Sequence, residues 1–427
     1  MVKKTLYASA AAAALMATTS PALADCPIKV GVLHSLSGSM AISETTLRDV
    51  MLMLVEQQNA NGGLLGCELE AVVVDPASDW PLFAELTRQL ITVEEVDVIF
   101  GAWTSVARKA VLPVLEELNG LMFYPVQYEG QESSRNVFYT GAAPNQQAIP
   151  AVDYFLEELG VESFALLGTD YVYPRTTNAI LEAYLLDAGI APEDIFVNYT
   201  PFGHSDWSTI VSDVIALGAG GKQVGVISTI NGDANVGFYT ELAAQGIDSF
   251  DLPVVAFSVG EEELSGLDTS RLVGHLAAWN YFMSADTEVN DEFIAAWHEF
   301  IGDDSRVTND PMEAHYIGFN MWVNAVEEAG TTDVDAVREA MWGQEFPNLT
   351  GGMAVMNPNH HLSKPVLIGE IRADGQFDII SQTEEVAGEA WSPFLSESAT
   401  LTSDWQALEC GMYDTASETC VQLTSNY

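Results

Sequence analysis

The sequence predicts an α/β protein built from two doubly wound Rossmann-like lobes. Apolar segments of strand length alternate with helical segments from residue 28 to about residue 258, which is typical of parallel sheets covered by helices on both faces. The alternation runs to about residue 141 and starts again at residue 146. Two such runs indicate two lobes.

The first run opens with a strand at 28–34, followed by a helix at 45–60 that ends at the stop signal Asn61-Gly62-Gly63. The other predicted elements of this run are strands at 68–75, 96–102, 121–126 and 136–141, and helices at 81–95 and 105–118.

The second run opens with a helix at 146–159 and again alternates strands with helices. Its strands are predicted at 163–170, 194–200, 224–230 and 253–258, and its helices at 173–188, 206–217 and 234–245. The elements predicted after it are a strand at 274–282, helices at 291–300, 311–329 and 334–342, and a hairpin at 366–381. The turn of this hairpin is Ala373-Asp374-Gly375.

The net charge of the chain limits the classes of molecule that the protein can bind. The 427 residues include 15 Lys and Arg against 61 Asp and Glu, for a net charge of -46, so nucleic acids and anionic membrane surfaces are excluded as partners for the body of the protein. The acidic residues are spread along the chain, which favours a solvated acidic surface suited to salty surroundings. A cation-binding role for that surface is the alternative interpretation.

The N-terminus has the pattern of a cleaved export signal. Lys3 and Lys4 precede a short apolar stretch at 6–17, and Ala22-Leu23-Ala24 is a small-residue cleavage site. We expect cleavage after Ala24 and a periplasmic mature chain. Asp25 directly before a cysteine argues against a lipid anchor, and no other stretch resembles a transmembrane helix.

An even number of cysteines in an exported chain indicates disulfides. The four cysteines are Cys26, Cys67, Cys410 and Cys420, and three pairings are open. We favour Cys26–Cys67 and Cys410–Cys420, because each joins neighbouring pieces of chain. The chain has no C-x-x-C motif, and His360-His361 lacks the helical spacing and the cysteine partners of a metal site. No metal and no cofactor are expected.

Polar and aromatic residues collect where predicted strands end. In parallel sheets, ligands bind outside the carboxyl ends of the strands, and a helix that begins there presents unpaired N–H groups. The stretch from Gly101 to Ser105, which contains Trp103 and Thr104, is such an end. A serine cap with a packed tryptophan is the plainer alternative. Similar clusters occur at 124–130, 169–174, 229–233 and 258–262, so a ligand cleft between two lobes is predicted.

Several long stretches carry a family resemblance. They are GVLHSLSGSMAISE (31–44), VVVDPASDWPLFAE (72–85), WTSVARKAVLPV (103–114), FYPVQYEGQESS (123–134), FYTGAAPNQQAIPA (138–151), LGTDYVYPRTTN (167–178), STINGDAN (228–235), FSVGEEEL (257–264), TNDPMEA (308–314) and NHHLSKPVLIGEI (359–371). Through them the chain, to about Phe394, resembles the type I periplasmic substrate-binding proteins of ABC transporters, and within these the urea-binding (UrtA-like) branch, which is related to the amide sensor AmiC.

The resemblance implies two lobes joined by three crossings, near 141–146, 260–273 and 345–352, that close on a ligand. The expected organisation is a signal peptide at 1–24, an N-terminal lobe at 25–143 plus 273–346, a C-terminal lobe at 144–272 plus 347–395, and a tail at 396–427. It also implies a monomeric component of an importer for urea, whose partners are permease subunits at the inner membrane.

Ligand contacts follow from the same resemblance. Ser105 and Thr104 would hold the ligand carbonyl, and Trp103, which stands where the amide sensor has tyrosine, would form a wall. The neighbouring strand end would add Tyr124 and Gln127; the amide sensor has proline at the latter position. The facing lobe would contribute Tyr171 and Tyr173. Position at strand ends alone adds four further candidates: Asn231, Asp233, Ser258 and Glu262.

Urea fits such a set chemically, since it is neutral and planar and needs acceptors for four N–H groups and donors for one carbonyl. Three rival functions are weighed. An enzyme is disfavoured, because the chain has no G-x-S-x-G elbow and no P-loop. A cytoplasmic amide sensor would lack the export segment. A binder of short aliphatic amides, or of a branched-chain amino acid, stays open from the sequence.

Overall fold

The computed structural model describes residues 26–395, together with the backbone of residues 412–414 and 419–421. The predicted signal peptide and the predicted Cys410–Cys420 pair lie outside the described residues. Cys26 and Cys67 form a disulfide with their Cα atoms 5.2 Å apart, which confirms the first predicted pair. In the described part of the chain, no helix is long and apolar enough to cross a membrane.

The first sheet, as far as the chain is described, has five strands that all run parallel. They are β1 (Ile28–Leu33), β2 (Leu69–Val74), β3 (Val98–Gly101), β4 (Met122–Tyr124) and β5 (Val137–Tyr139). Their order across the sheet is β2-β1-β3-β4-β5. The helices of this run are α1 (Ala41–Ala60), α2 (Trp80–Thr92) and α3 (Ser105–Leu118). The predicted strand–helix alternation is confirmed here.

The second sheet contains seven of the strands in residues 26–395. In chain order they are β6 (Ser163–Thr169), β7 (Ile195–Thr200), β8 (Val224–Thr229), β9 (Val254–Ala256), β10 (Leu276–Trp279), β14 (Leu367–Ile371) and β15 (Phe377–Gln382). Their order in the sheet is β15-β14-β10-β9-β8-β6-β7. The last two strands of this sheet, β14 and β15, pair antiparallel to each other as the predicted hairpin requires, and β14 also pairs antiparallel to β10. The other five strands are parallel.

The remaining elements complete the two layers of helices and add smaller sheets. The helices are α4 (Ala148–Glu157), α5 (Val172–Asp187), α6 (Ser208–Leu217), α7 (Ala234–Gln245), α8 (Glu261–Ser265), α9 (Glu288–Ile301), α10 (Asp310–Ala329) and α11 (Val334–Met341). A four-stranded antiparallel sheet consists of β11 (Glu345–Asn348), β12 (Gly352–Met356), β13 (Leu362–Lys364) and β16 (Val386–Ala387). The ribbon in the tail pairs β17 (Met412–Asp414) with β18 (Thr419–Val421).

Each large sheet organises its own apolar core. Phe100 of β3 packs in a core that also contains Trp297 of α9 and Met312 of α10. The second sheet has a core on each face, because successive residues of a strand point to opposite sides. In β6, Leu167 belongs to one of these cores and Leu166 to the other. These cores show the double winding that the sequence predicts.

The chain changes lobe at places that differ from two of the expected crossings. The expected crossing at 260–273 assigned the strand at 274–282 to the first lobe, yet β10 pairs with β9 and β14 in the second sheet. Tyr281 packs in the first core and Phe282 in the second, so the crossing lies at that dipeptide. A strand that follows its neighbour through the short helix α8 continues the same parallel sheet, and the apolar pattern cannot reveal which lobe it joins.

The expected third crossing at 345–352 is displaced in the same way. Residues Ala354, Met356 and Leu362 of the four-stranded sheet pack in the first core, whereas Leu367 packs in the second. The chain therefore crosses between residues 364 and 367, and residues 347–364 belong with the first lobe. The first crossing lies between Ala143 and Ala148, next to the range that the resemblance implied.

One side chain links these three crossings, and the chain returns once more to the first lobe where β16 pairs with β13. The amide of Asn280 donates to the carbonyl oxygens of Gln146, at 3.1 Å, and Pro365, at 2.7 Å. The backbone N–H of Asn280 donates to Asp310 Oδ2 at 2.9 Å. Asn280 is fully buried, so these carbonyls have little access to water. The crossings between the lobes, which form the hinge, are therefore held together by the hydrogen bonds of one residue, Asn280.

Replacing this side chain tests its role. Asn280→Ala leaves two buried carbonyl oxygens without their donor, and we expect unfolding free energy to fall by about 2–4 kcal/mol. Guanidinium chloride denaturation followed by circular dichroism measures the loss. Asn320→Ala is the control, because that half-buried amide donates only within α10, to Tyr316 O. Equal effects of the two substitutions would contradict a special role for Asn280.

Candidate functional site

The segment after β3 is shaped by close packing against the neighbouring strand. A Cβ atom at Gly101 would lie 2.3 Å from the carbonyl oxygen of Leu33, so only glycine fits there. Ala102 then adopts a positive φ of 64°. Thr104 caps α3 by accepting a hydrogen bond from Ala107 N at 3.3 Å. The turn thus directs Trp103, Thr104 and the first residue of α3 toward the gap between the lobes.

Ser105 and Tyr124, two of the predicted ligand contacts, are engaged by the protein itself. The Ser105 hydroxyl donates to a carboxylate oxygen of Glu129 and accepts from Arg108 Nη1 at 3.2 Å. The Tyr124 hydroxyl donates to the backbone carbonyl of Trp103. We call the surface formed by Trp103, Ser105 and Tyr124 the floor of the site. The hydrogen bond from Ser105 holds Glu129 next to this floor.

Four fully buried charges lie under this floor. Arg108 Nε donates to Glu132 at 2.7 Å and its Nη2 to Glu129 at 3.2 Å, and Lys109 Nζ lies 2.5 Å from Glu132. The Tyr139 hydroxyl adds a hydrogen bond of 3.0 Å to Glu132. Burial opposes charge on Glu132, but the two cations outweigh it and lower the pKa of Glu132 to about 2. Two positive and two negative groups leave this cluster, the buried ion network, with no net charge.

Aromatic rings enclose the ion network. The Arg108 guanidinium lies 4.6 Å from the ring centroids of both Tyr124 and Tyr128. His361 stacks on Tyr139 with centroids 4.6 Å apart, and its Nε2 lies 2.6 Å from the Tyr128 hydroxyl. Burial lowers the pKa of His361 to about 4, so its ring is neutral at pH 7. These contacts bring the segment before β13 against the floor of the site.

The His360-His361 pair is thus a packing element. His360 Nδ1 lies 3.0 Å from the carbonyl oxygen of Val137, and burial lowers the pKa of His360 to about 3. Within the residues that the structure describes, no group of three His, Cys, Asp or Glu side chains is arranged to hold a metal ion.

The second lobe covers the site with two tyrosines. Tyr171 is the residue before α5 and Tyr173 lies in its first turn. Their rings pack with Val106 of α3 in one buried apolar cluster. Burial raises the pKa of Tyr171 well above its ordinary value, and Tyr173, Tyr124 and Glu129 add to this shift.

Gln127 joins the two lobes directly. Its amide donates to the carbonyl oxygen of Phe257 at 2.6 Å and to Ser258 Oγ at 2.7 Å. A second bridge runs from Ser43 Oγ to Glu263 at 2.7 Å. The lobes are therefore closed on one another, and the predicted residues Gln127 and Ser258 are part of the closure.

Three buried polar atoms where the lobes meet lack a close, well-aligned hydrogen bond among the described residues. They are the indole N–H of Trp103, the amide oxygen of Gln127 and the hydroxyl of Tyr173. Each residue is at most 3% exposed. Burial raises the pKa of Tyr173, while hydrogen bonding to the side chains of Gln127 and Ser258 opposes this shift. Since an unsatisfied buried polar group costs about 1–3 kcal/mol, the three atoms form a donor, an acceptor and a hydroxyl suited to a small polar ligand.

Three predicted contacts lie outside this cluster. Asn231 stiffens the loop after β8, because its amide donates to Thr229 O at 3.1 Å and its N–H to Thr169 Oγ1 at 2.9 Å. Asp233 is exposed at the start of α7. Glu262 lies 3.9 Å from Arg306, and burial, together with Glu263, raises its pKa to about 7. These three positions follow strand ends, but they differ in depth: Asn231 is buried, Glu262 is half-buried and Asp233 is exposed.

Sequence reasoning missed the ion network: Arg108, Lys109, Glu129 and Glu132. A signal was present, since an Arg-Lys pair in the first turn of a helix opposes the helix dipole. In a chain with 15 basic residues, such a pair indicates nearby carboxylates, and two glutamates follow in the next strand-end segment.

Removing one member of the network gives a clear stability test. Glu132→Gln leaves a buried net positive charge, and we expect a loss of about 3–5 kcal/mol at pH 7. The folded pKa is about 2 and the ordinary value is 4.5. The loss is therefore complete above pH 4.5 and shrinks as the pH falls toward 2. Denaturant titrations of both proteins across this range measure it.

Glu117→Gln is the matched control, because its carboxylate pairs with Arg88 at the surface, where an ion pair contributes little. A loss for Glu132→Gln no larger than that of the control would contradict the role assigned to the ion network.

Comparison with curated proteins gives partial and near-complete matches. The chain is 32% identical over 112 residues to a limonene hydroxylase of Geobacillus stearothermophilus, a match that covers 26% of this chain and 20% of that protein. It is 28% identical to Leu/Ile/Val-binding protein homolog 7 of Brucella melitensis, over 48% of this chain and 53% of the relative. The chain thus spans between a fifth and about half the length of these two relatives.

A longer match is 25% identical to the leucine-, isoleucine-, valine-, threonine- and alanine-binding protein of Pseudomonas aeruginosa, over 80% of this chain and 89% of that protein.

Solved structures share the fold. A solute-binding protein of Rhodopseudomonas palustris in complex with benzoate matches with a TM-score of 0.74 and 19% identity, over 86% of this chain and 99% of that chain. A branched-chain amino acid binding protein of Streptococcus pneumoniae in complex with isoleucine matches with a TM-score of 0.70 and 17% identity, over 84% and 99% of the respective chains.

The family model "Periplasmic binding protein domain" matches residues 28–397, which is nearly all of the part with two lobes. The chain therefore belongs to the periplasmic binding protein family and has the type I fold of that family.

Proposed function

We propose that this protein is the periplasmic substrate-binding component of an ABC importer and that it captures urea in the closed cleft. The observation that carries the proposal is the set of three unsatisfied buried atoms of Trp103, Gln127 and Tyr173. In a closed cleft, a ligand must satisfy these atoms as well as its own polar groups. The carbonyl of urea would accept a hydrogen bond from the indole N–H of Trp103. The N–H groups of urea would donate to the amide oxygen of Gln127 and the hydroxyl oxygen of Tyr173.

The charge of the site supports a neutral ligand. Arg108 and Lys109 are the cations nearest the floor, and both are paired with Glu129 and Glu132. A carboxylate ligand would have to displace one of these glutamates or be buried without a cation of its own, which is costly. Glu129 accepts from Ser105 and Arg108, and a carboxylate has lone pairs left for an N–H group of a ligand.

Two alternatives share the cleft but differ in the ligand. Short aliphatic amides present the same carbonyl and N–H groups as urea on one side. A branched-chain amino acid is favoured by the names of the relatives from Brucella melitensis and Pseudomonas aeruginosa. It would need separate sites for an ammonium group and a carboxylate. With any of these ligands, the transport partners of the protein would be the permease subunits at the inner membrane.

Calorimetric titration with urea, acetamide, leucine and benzoate decides between these ligands. For a ligand with four heavy atoms, a ceiling of about 1.5 kcal/mol per atom gives a Kd on the order of tens of micromolar. We expect urea to bind in that range, acetamide more weakly, and leucine and benzoate not at all. Binding of leucine or benzoate in the absence of urea binding would overturn the proposal.

A substitution in α5 tests the part of the site assigned to Tyr173. Tyr173→Phe removes a hydroxyl that the ligand would satisfy, and we expect the Kd for urea to rise about 5–10-fold. Tyr184→Phe is the control in the same helix, since its hydroxyl donates to Asp153 on the outer side of the lobe. Calorimetry measures both variants, and an equal change in Kd would remove Tyr173 from the site.

A further inference from the structure

A second small space adjoins the closed site. A cavity of about 170 Å³ lies between the lobes, with Thr104 in its wall. Met40, Trp80 and Phe83 line it from the first lobe, and Phe202, which follows β7, lines it from the second. Trp80 and Phe202 face each other with ring centroids 6.2 Å apart. Four of its eight lining residues are therefore aromatic or aliphatic, and the other four, Ser39, Glu44, Ser78 and Thr104, are polar.

Three of the four polar residues of this cavity, Glu44, Ser78 and Thr104, hydrogen-bond within the first lobe. Ser78 Oγ accepts from Met40 N at 3.1 Å and donates to Ser37 O at 3.0 Å. Glu44 Oε2 accepts from Ser35 N at 2.9 Å, and the Thr104 hydroxyl caps α3. Because these groups are already hydrogen-bonded, they have little capacity to orient a polar group of a ligand. The proposed urea site differs, since its polar atoms lack such bonds.

The cavity and the urea site are neighbours in the chain and in space. Thr104 lies between Trp103 and Ser105 of the floor, and consecutive Cα atoms are about 3.8 Å apart. On the other lobe, the ring of Phe202 lies 5.0 Å from that of Tyr171, which covers the floor. A substituent on a ligand bound at the floor thus has a short path past Thr104 into the cavity.

We propose that this cavity is a subsite for an apolar substituent, so that the protein takes N-alkylureas and alkyl amides in addition to urea. The inference rests on the proposed function, because the polar head of the ligand must bind at Trp103, Gln127 and Tyr173. The size is sufficient, since an apolar cavity of about 150 Å³ holds a benzene molecule. A chain of up to three or four carbons is the class of substituent that fits.

Calorimetric titration with urea, N-methylurea, N-ethylurea and N-propylurea tests the subsite while the polar head stays constant. Each methylene moved from water into an apolar cavity improves affinity about fourfold. We therefore expect N-propylurea to bind more than tenfold more tightly than N-methylurea. Affinity that stays flat or falls with chain length, while urea itself binds, would overturn the subsite and leave the urea site standing.

Variants locate the substituent. Phe202→Ala and Trp80→Ala each remove one wall of the cavity, and we expect the preference for N-propylurea over N-methylurea to drop to about threefold or less. Phe250→Ala is the control, because this ring is 90% exposed on the second lobe. Thermal unfolding of each variant verifies that it is folded.

Three further outcomes separate the proposals. A chain-length preference that survives both wall substitutions would place the substituent elsewhere and overturn the subsite. If neither urea, nor an alkylurea, nor butyramide binds to the folded protein, both the urea site and the subsite fall together. Tight binding of the alkylureas with no binding of urea would support the subsite and restrict the ligand to substituted ureas.

Discussion

The pairing of Arg108 and Lys109 with Glu129 and Glu132 is the interaction on which the site depends. A buried charge without a partner is costly, and removing one partner of a buried pair is strongly destabilising. All four side chains are fully buried, so each must remain with the others. This requirement holds the first turn of α3 against the segment after β4. The orientations of Ser105 and Tyr124, and the neutrality of the floor, follow from it.

Closure of the lobes uses the same segment. Gln127 lies two residues before Glu129, and its amide donates to the second lobe at Phe257 and Ser258. The amide oxygen of that side chain is one of the unsatisfied atoms in the cleft. One side chain therefore takes part in both closure and the proposed ligand contact. A ligand that binds this oxygen stabilises the closed form to the extent that it binds this form better than the open one.

The sequence predicted the fold because its strands and helices leave local patterns. Apolar strands followed by helices predicted the sheets, and Trp103 to Ser105 were found because a strand end meets a helix start there. The lobe to which β10 belongs was not predictable, since its apolar residues suit either sheet. The ion network was missed because its charges are paired only in space. Asp233 and Glu262 were selected by their place after strands, which does not determine the depth of a side chain.

The contrast between the two spaces in the cleft explains how one site can combine selectivity with tolerance. At the floor, unsatisfied polar atoms reject a ligand that lacks the matching groups, because each unmet bond is costly. In the cavity beside Thr104, three of the four polar residues are hydrogen-bonded within the protein and the other four residues are apolar, so an apolar substituent gains from the area that it buries. Phe202 completes that cavity from the second lobe, and a Cβ at Gly232 would lie 3.4 Å from Met40 Sδ. Both contacts exist only when the lobes meet. An apolar substituent therefore favours the closed form in the same direction as the polar head, and affinity and closure rise together.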